Sequence, residues 1–306
     1  MSAAAHAVPG ENRTRGIMWM LATMFCFIAL DAMMKYLLET YPLIQVTWAR
    51  FFFATVIALA VASPRLPEIA VSRAPRQQLL RSVLLMMTTG LFNAGIRTTP
   101  LATATTIMFT SPILVTVLST VLLKEHVGPR RWAGVAVGFI GAMIVVRPWE
   151  SLEGAMSAGV LFLLIAALSN ANYQIATRRV RVDDPMTSLL YTAVAGAIVT
   201  SLMLPWAWEW PSWIDWLLLA STGLAGGIGH LCLIRALQSA PASVVAPFSY
   251  SALIWATLFG FIFFGELPDM WTWAGAALIV ASGLYIFHRE RQVAAEKRSQ
   301  QREETA

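Results

Sequence analysis

The sequence predicts an all-α integral membrane protein of ten transmembrane helices arranged as two inverted five-helix repeats. Three observations carry that reading. Of 306 residues, 57% are hydrophobic and 13% charged, about half the charge of an ordinary globular domain. Ten apolar runs are each long enough to cross a bilayer as a helix. The two halves of the chain also align with each other at a fixed offset of 141 residues. A soluble enzyme of this size could not cover its core with so little polar surface, so that class is excluded.

Residues 1–15 form a polar tail carrying Arg13 and Arg15. The apolar run after it is too long for the h-region of a signal peptide and further runs follow, so it reads as an uncleaved first helix. The ten spans cover residues 16–38, 43–62, 79–97, 100–122, 131–147, 157–176, 186–206, 213–235, 241–264 and 270–288. They are continuous runs, not alternating ones, which excludes strands of a barrel. Residues 289–306 are a charged tail expected to form a short helix.

Charge then fixes orientation. On one side lie Arg13, Arg15, Arg65, Arg73, Arg76, Arg81, Lys124, Arg130, Arg131, Arg178, Arg179, Arg181, Arg235, Arg289, Arg291, Lys297, Arg298 and Arg302, 18 of the 22 Lys and Arg. The other side keeps acids: Glu39, Glu150, Glu153, Glu209, Asp215, Glu266 and Asp269. The positive-inside rule therefore places both termini in the cytoplasm, and an inner (plasma) membrane of bacterial type is the expected location. Bases confined to short loops around apolar spans point to the lipid bilayer and not to nucleic acid. Trp206, Trp208, Trp210, Trp213 and Trp216, around Pro211, read as an aromatic belt at the outer interface.

At the 141-residue offset, Pro100 falls on Pro241, Thr116 on Thr257 and Glu125 on Glu266. Trp132-Ala133-Gly134 falls on Trp273-Ala274-Gly275, and Asp31 falls on Asn172. The units are residues 16–147 and 157–288, five spans each. Five is odd, so the second copy enters the membrane upside down. Inverted repeats of this kind mark secondary transporters, in which two half-structures exchange conformations around a central site.

The pattern P-x(24)-E-x(6)-W-A-G, present at Pro100–Gly134 and again at Pro241–Gly275, resembles the drug/metabolite transporter superfamily, EamA-type. The resemblance covers roughly residues 16–288. Within that superfamily, Asp31-Ala-Met-Met-Lys35-Tyr36, Arg50-Phe-Phe-Phe53 and Ala246-Pro-Phe-Ser-Tyr250 resemble the S-adenosylmethionine uptake transporters, and riboflavin importers are similar too. The resemblance implies a central cavity lined mainly by spans 1, 3, 4, 6, 8 and 9. It also implies passage of a small organic metabolite, either uptake of S-adenosylmethionine or a similar cationic amphipath, or export of amino acids or drugs.

Ionisable groups inside spans are expensive and usually face a cavity or a partner. Asp31 and Lys35 stand i,i+4 on span 1, and Arg50 stands in span 2. Two readings are open: an ion-paired cluster of Asp31 with Lys35 or Arg50 that locks spans 1 and 2, or a cavity-facing Asp31 that meets a cationic substrate or a coupling proton. Asp31 is the one acid well inside a span and so the candidate for proton coupling. Asn93, Asn172 and Tyr173 offer hydrogen bonds for substrate or for helix packing. His230, among Gly223, Gly226, Gly227 and Gly229, suits substrate contact, proton relay or a buried hydrogen bond. Pro112 and Pro247 should kink spans 4 and 9, beside Phe109, Phe248 and Tyr250, whose rings could hold a planar or cationic substrate or simply pack.

Glu125 and Glu266 precede the Trp-Ala-Gly helices and read as helix-capping and loop-closing residues. Gly134-Val-Ala-Val-Gly138 suits helix packing within the fold or at a homodimer face. Cys26 and Cys232 lie in apolar runs as small hydrophobes. No metal-ligand spacing, Walker A motif or nucleophile constellation is present, so neither cofactor nor metal is expected and a polytopic membrane enzyme is the remote alternative.

Overall fold

The computed structural model describes residues 12–63, 66–122, 128–147, 158–180, 182–240 and 242–304. Its helices are α1 (Arg13–Thr40), α2 (Leu43–Ala62), α3 (Leu66–Ile69), α4 (Pro75–Ile96), α5 (Leu101–Met108), α6 (Ser111–Leu122), α7 (Pro129–Val146), α8 (Ala158–Arg179), α9 (Pro185–Met203), α10 (Trp213–Ser239), α11 (Ala242–Val245), α12 (Ser251–Phe264) and α13 (Met270–Glu304). Nine spans among the described residues are long and apolar enough to cross a membrane, and α7 supplies a shorter apolar stretch, Trp132–Val146, at the fifth position. Lys124, Glu125, Glu150, Glu153, Arg65, Arg181 and Pro241 lie outside the described residues.

Local sequence explains the boundaries. Pro75, Pro129 and Pro185 stand in the first turns of α4, α7 and α9, where the missing N–H costs nothing. Asp184 and Ser212 cap α9 and α10 through their side chains. Gly265, at φ +66°, ends α12 in the left-handed conformation that favours glycine. Spans 4 and 9 are interrupted as their prolines predict. α5 stops at Met108 and α6 begins with Ser111-Pro112, while a 3-10 turn, Ala246–Tyr250, joins α11 to α12 around Pro247. α13 runs on beyond its apolar stretch, Met270–His288, to Glu304.

The packing repeats the sequence symmetry. α1 lies along α10 and α4 along α8, so spans 1 and 3 of one repeat meet spans 3 and 1 of the other. α2 packs on α9 and α7 on α13, each helix on its own repeat mate. Phe109 and Tyr250 are mates at the 141-residue offset, and their ring centroids lie 4.9 Å apart. Two copies related by a pseudo-two-fold axis in the membrane plane produce this arrangement.

Small residues set the closest approach. A Cβ at Gly275 would lie 2.6 Å from the Gly141 carbonyl oxygen, and one at Gly134 would meet Ile286 at 2.7 Å. Ser282 Oγ donates to the Gly134 carbonyl at 2.6 Å. The Gly134–Gly138 pattern therefore serves helix packing inside the fold, on α13. Of the five clustered tryptophans, Trp206, Trp210 and Trp213 face outward, whereas Trp208 and Trp216 pack against the core beside Trp48.

Candidate functional site

Helix direction sorts the helix ends into two sides. On the side that carries the start of α1 and the end of α10, the Asn12 amide donates to the Ser239 carbonyl at 3.1 Å. A cavity of about 550 Å3 opens toward this terminus side. Its walls come from α2, α4, α8, α9 and α10. Arg50, Gly226 and His230 lie at its deep end, and Asp183 and Gln238 at its mouth. Among the described residues spans 1, 4 and 9 contribute none of this lining, unlike the family expectation. Spans 4 and 9 fill their own interface through Phe109 and Tyr250, while span 1 turns Phe27 onto His230, with centroids 5.0 Å apart.

The far side is closed by bonds between the halves. Lys35 Nζ donates to Glu266 Oε1 and Oε2 at 2.6 and 2.8 Å and to the Thr99 carbonyl at 3.0 Å. Glu266 also accepts from the Leu101 amide at 3.2 Å, so it caps α5 and closes the loop. Tyr41 donates to Asp215 at 2.7 Å, and Gln45 exchanges two bonds with the Glu209 backbone at 2.7 and 2.9 Å. Arg147 pairs with Asp269 at 2.6 Å.

Four of the residues singled out from sequence come together at or beside the deep end of the cavity. Arg50, Tyr173 and His230 line it, and Asp31 lies within electrostatic reach of Arg50. Asp31 makes no hydrogen bond or ion pair with any described residue, and neither does the Arg50 guanidinium, which has only the Phe51 ring at 5.9 Å. His230 Nδ1 shares a bond with the Gly226 carbonyl at 2.9 Å.

The other candidates stand elsewhere. Lys35, expected beside Asp31, is drawn to the far-side loop because a carboxylate and a carbonyl there satisfy its three donors. The ion-paired cluster that would lock spans 1 and 2 is therefore not formed. Asn93 is fully buried and donates to Thr47 at 3.0 Å, joining spans 2 and 3. Asn172 donates to the Leu168 carbonyl of its own helix at 2.9 Å. Phe109 and Tyr250 hold each other, and Phe248 points outward.

Sequence reasoning missed Arg81. Its Nε donates to Thr177 at 3.0 Å, Nη1 to the Ser188 carbonyl and Thr192 at 2.8 and 2.6 Å, and Nη2 to Tyr173 at 2.7 Å. This buried guanidinium ties α4, α8 and α9 together along the cavity wall. Its place inside the predicted span 79–97 was the available signal, masked by its nearness to the bases of the preceding loop. At the mouth, Asp183 accepts from Ser72, from the Arg73 amide at 2.8 Å and from Gln78 at 2.9 Å.

Burial pushes the Asp183 carboxyl up, but these three bonds and the Arg73 charge outweigh it and hold the group below the ordinary carboxylate value. A depressed folded-state value gives stability that is present above the unfolded value of about 4 and lost as pH falls through the folded one. Asp183→Asn accordingly lowers the melting temperature at pH 7, and the gap to the wild type narrows below about pH 4. A gap that stays constant across that range contradicts the assignment.

Similarity to known proteins decides the family. Two matches to the EamA-like transporter family model cover residues 14–147 and 157–287. The chain belongs to the EamA-like transporter family. Each match spans one of the two inverted units, so this EamA chain is a tandem of the family's domain. It is similar to the S-adenosylmethionine uptake transporter of Rickettsia felis, with 28% identity over 287 residues, 94% of this chain and 97% of the relative. It is 29% identical to the riboflavin transporter of Rhizobium johnstonii over 294 residues, 95% and 96% of the two chains. The pseudopaline exporter of Pseudomonas aeruginosa is 25% identical over 270 residues, 87% and 94% of the two. A solved structure described as "Crystal structure of protein" superposes with a TM-score of 0.58 at 20% identity, covering 89% of this chain and 98% of its own, a likeness of fold alone. This EamA protein is thus a multi-pass membrane transporter and not an enzyme.

Proposed function

We propose that this EamA transporter takes up S-adenosylmethionine, or a cationic amphipathic metabolite like it, across the inner membrane by alternating access. One observation carries the reading. Arg50 lines the deep end of a cavity, Asp31 of span 1 stands within electrostatic reach of it, and no described residue pairs with either. Unpaired charge inside a bilayer is costly and is kept where a ligand or an ion uses it. The cavity volume of about 550 Å3 lies within the 300–1,000 Å3 that small organic ligands usually occupy.

In this reading Asp31 meets the cationic group of the substrate, and the same carboxylate is the site for any coupling proton. Tyr173 and His230 present a ring and polar atoms to the rest of the molecule. The terminus side is the cytoplasm by the positive-inside rule, so the cavity faces inward while the Lys35–Glu266 and Gln45–Glu209 contacts hold the outer end shut. Rocking of the two repeats would exchange the closed and open ends. The names of the Rickettsia relatives support the substrate and the direction. Counterflow of labelled S-adenosylmethionine into proteoliposomes tests the reading. Saturable uptake above that of empty liposomes is expected, and uptake equal to empty liposomes by folded protein rejects this substrate.

A further inference from the structure

Two arginines among the described residues share the cavity, Arg81 buried and Arg50 half-buried, and they differ in how their donors are used. Arg81 places its donors on Thr177, the Ser188 carbonyl, Thr192 and Tyr173, so it is part of the wall. Arg50 lines the same space and donates to no described residue. A guanidinium is always charged, and its planar fork matches a carboxylate through two parallel hydrogen bonds. Leaving such a charge inside a bilayer without a partner is costly. The carboxylate at the mouth, Asp183, is already committed to Ser72, Arg73 and Gln78. Among the described residues the unspent charges are therefore one cation, Arg50, on the cavity wall and one anion, Asp31, beside it, in electrostatic reach of each other and with no hydrogen bond or ion pair between them.

We infer that Arg50 binds a carboxylate of the substrate while Asp31 binds its ammonium, so that the site selects molecules carrying an α-amino-acid head. The inference rests on the transport reading above and sharpens it, because it makes the carboxylate a requirement. A molecule with the same cationic and apolar parts but no carboxylate leaves Arg50 unpaired and binds poorly. An uncharged planar solute lacks partners for both groups. The apolar remainder of the substrate lies against the α2 and α10 walls, where Ala54, Ile57 and Leu231 line the space.

Matched ligand pairs test this on the purified full chain by calorimetric binding. The pairs are S-adenosylmethionine with its decarboxylated form, and phenylalanine with phenethylamine. The carboxylate member of at least one pair is expected to bind about tenfold or more tightly, the usual scale for a charge-assisted hydrogen bond. Arg50→Gln should weaken that member alone and close the gap, while Arg50→Lys, which keeps the charge and loses the fork, should keep part of it. Equal binding of both members to the wild type overturns the inference, as does an Arg50→Gln variant that weakens both equally or a chain that binds none of the four. Discrimination within the phenylalanine pair, without S-adenosylmethionine transport, upholds Arg50's role and rejects the substrate. Counterflow of S-adenosylmethionine with no discrimination against its decarboxylated form does the opposite.

Discussion

Replacing Asp31 by asparagine abolishes transport and leaves the protein folded, with a melting temperature equal to or above that of the wild type. The two parts of this expectation come from one fact. Asp31 makes no hydrogen bond or ion pair to any described residue, so the substitution removes no structural contact. It does remove a charge held inside the membrane, where an ionised carboxylate costs about 2.5–3.5 kcal/mol on insertion scales. Transport suffers because a substrate cation loses its counter-charge, an interaction of about 1.5–3 kcal/mol, and because asparagine carries no titratable proton. Counterflow beside a thermal unfolding scan separates the readings. A residue kept for structure would give a lower melting temperature with residual transport, the reverse of the expected pair.

The second large effect concerns the far side. Lys35 is 7% exposed at its side chain and Glu266 28%, and they are 2.6 Å apart. Removing one member of a buried pair leaves the other charge uncompensated, at a cost of about 3–5 kcal/mol. The partial exposure of Glu266 places this pair at the lower end. Glu266→Gln also weakens the cap on the Leu101 amide. Folded yield and melting temperature should therefore drop clearly, while S-adenosylmethionine affinity of the surviving folded protein changes little. The double variant Lys35→Met/Glu266→Met should recover part of the lost stability, because no lone charge remains. A Glu266→Gln protein of normal stability with lost affinity would move Glu266 into the substrate site.

Spans and repeat were legible because each rests on a signal local to the chain or copied within it. Helix length and apolar content mark the spans, and the Trp132 and Trp273 tripeptides fix the offset between the units. Asp31 and Arg50 were visible for the same reason: a charge in an apolar run stands out. Lys35 stood out equally, but its partner lies 231 residues away, and spacing along one helix suggested the wrong carboxylate. Arg81 was hidden by its position, since a base near the end of a span looks like a loop charge until the helix is seen to begin at Pro75. The polar wall around it, with Thr177, Ser188 and Thr192, uses small hydroxyl residues that are common in any membrane helix. The cavity's walls were least legible. Which face of spans 2 and 7 is open depends on how the repeats tilt against each other, and Phe109 and Tyr250, expected near substrate, instead pack on each other.

The most direct measurement of the central claim is substrate protection of a cysteine placed in the cavity wall. Ala54 lines the cavity on α2. Ala54→Cys is made with Cys26 and Cys232 replaced by alanine and treated with a membrane-impermeant maleimide in inverted membrane vesicles. The account predicts modification that S-adenosylmethionine slows in a saturable manner, with the protection lost when Asp31→Asn is added. Modification at a rate that S-adenosylmethionine leaves unchanged, or reaction seen in intact cells but absent from inverted vesicles, would contradict it.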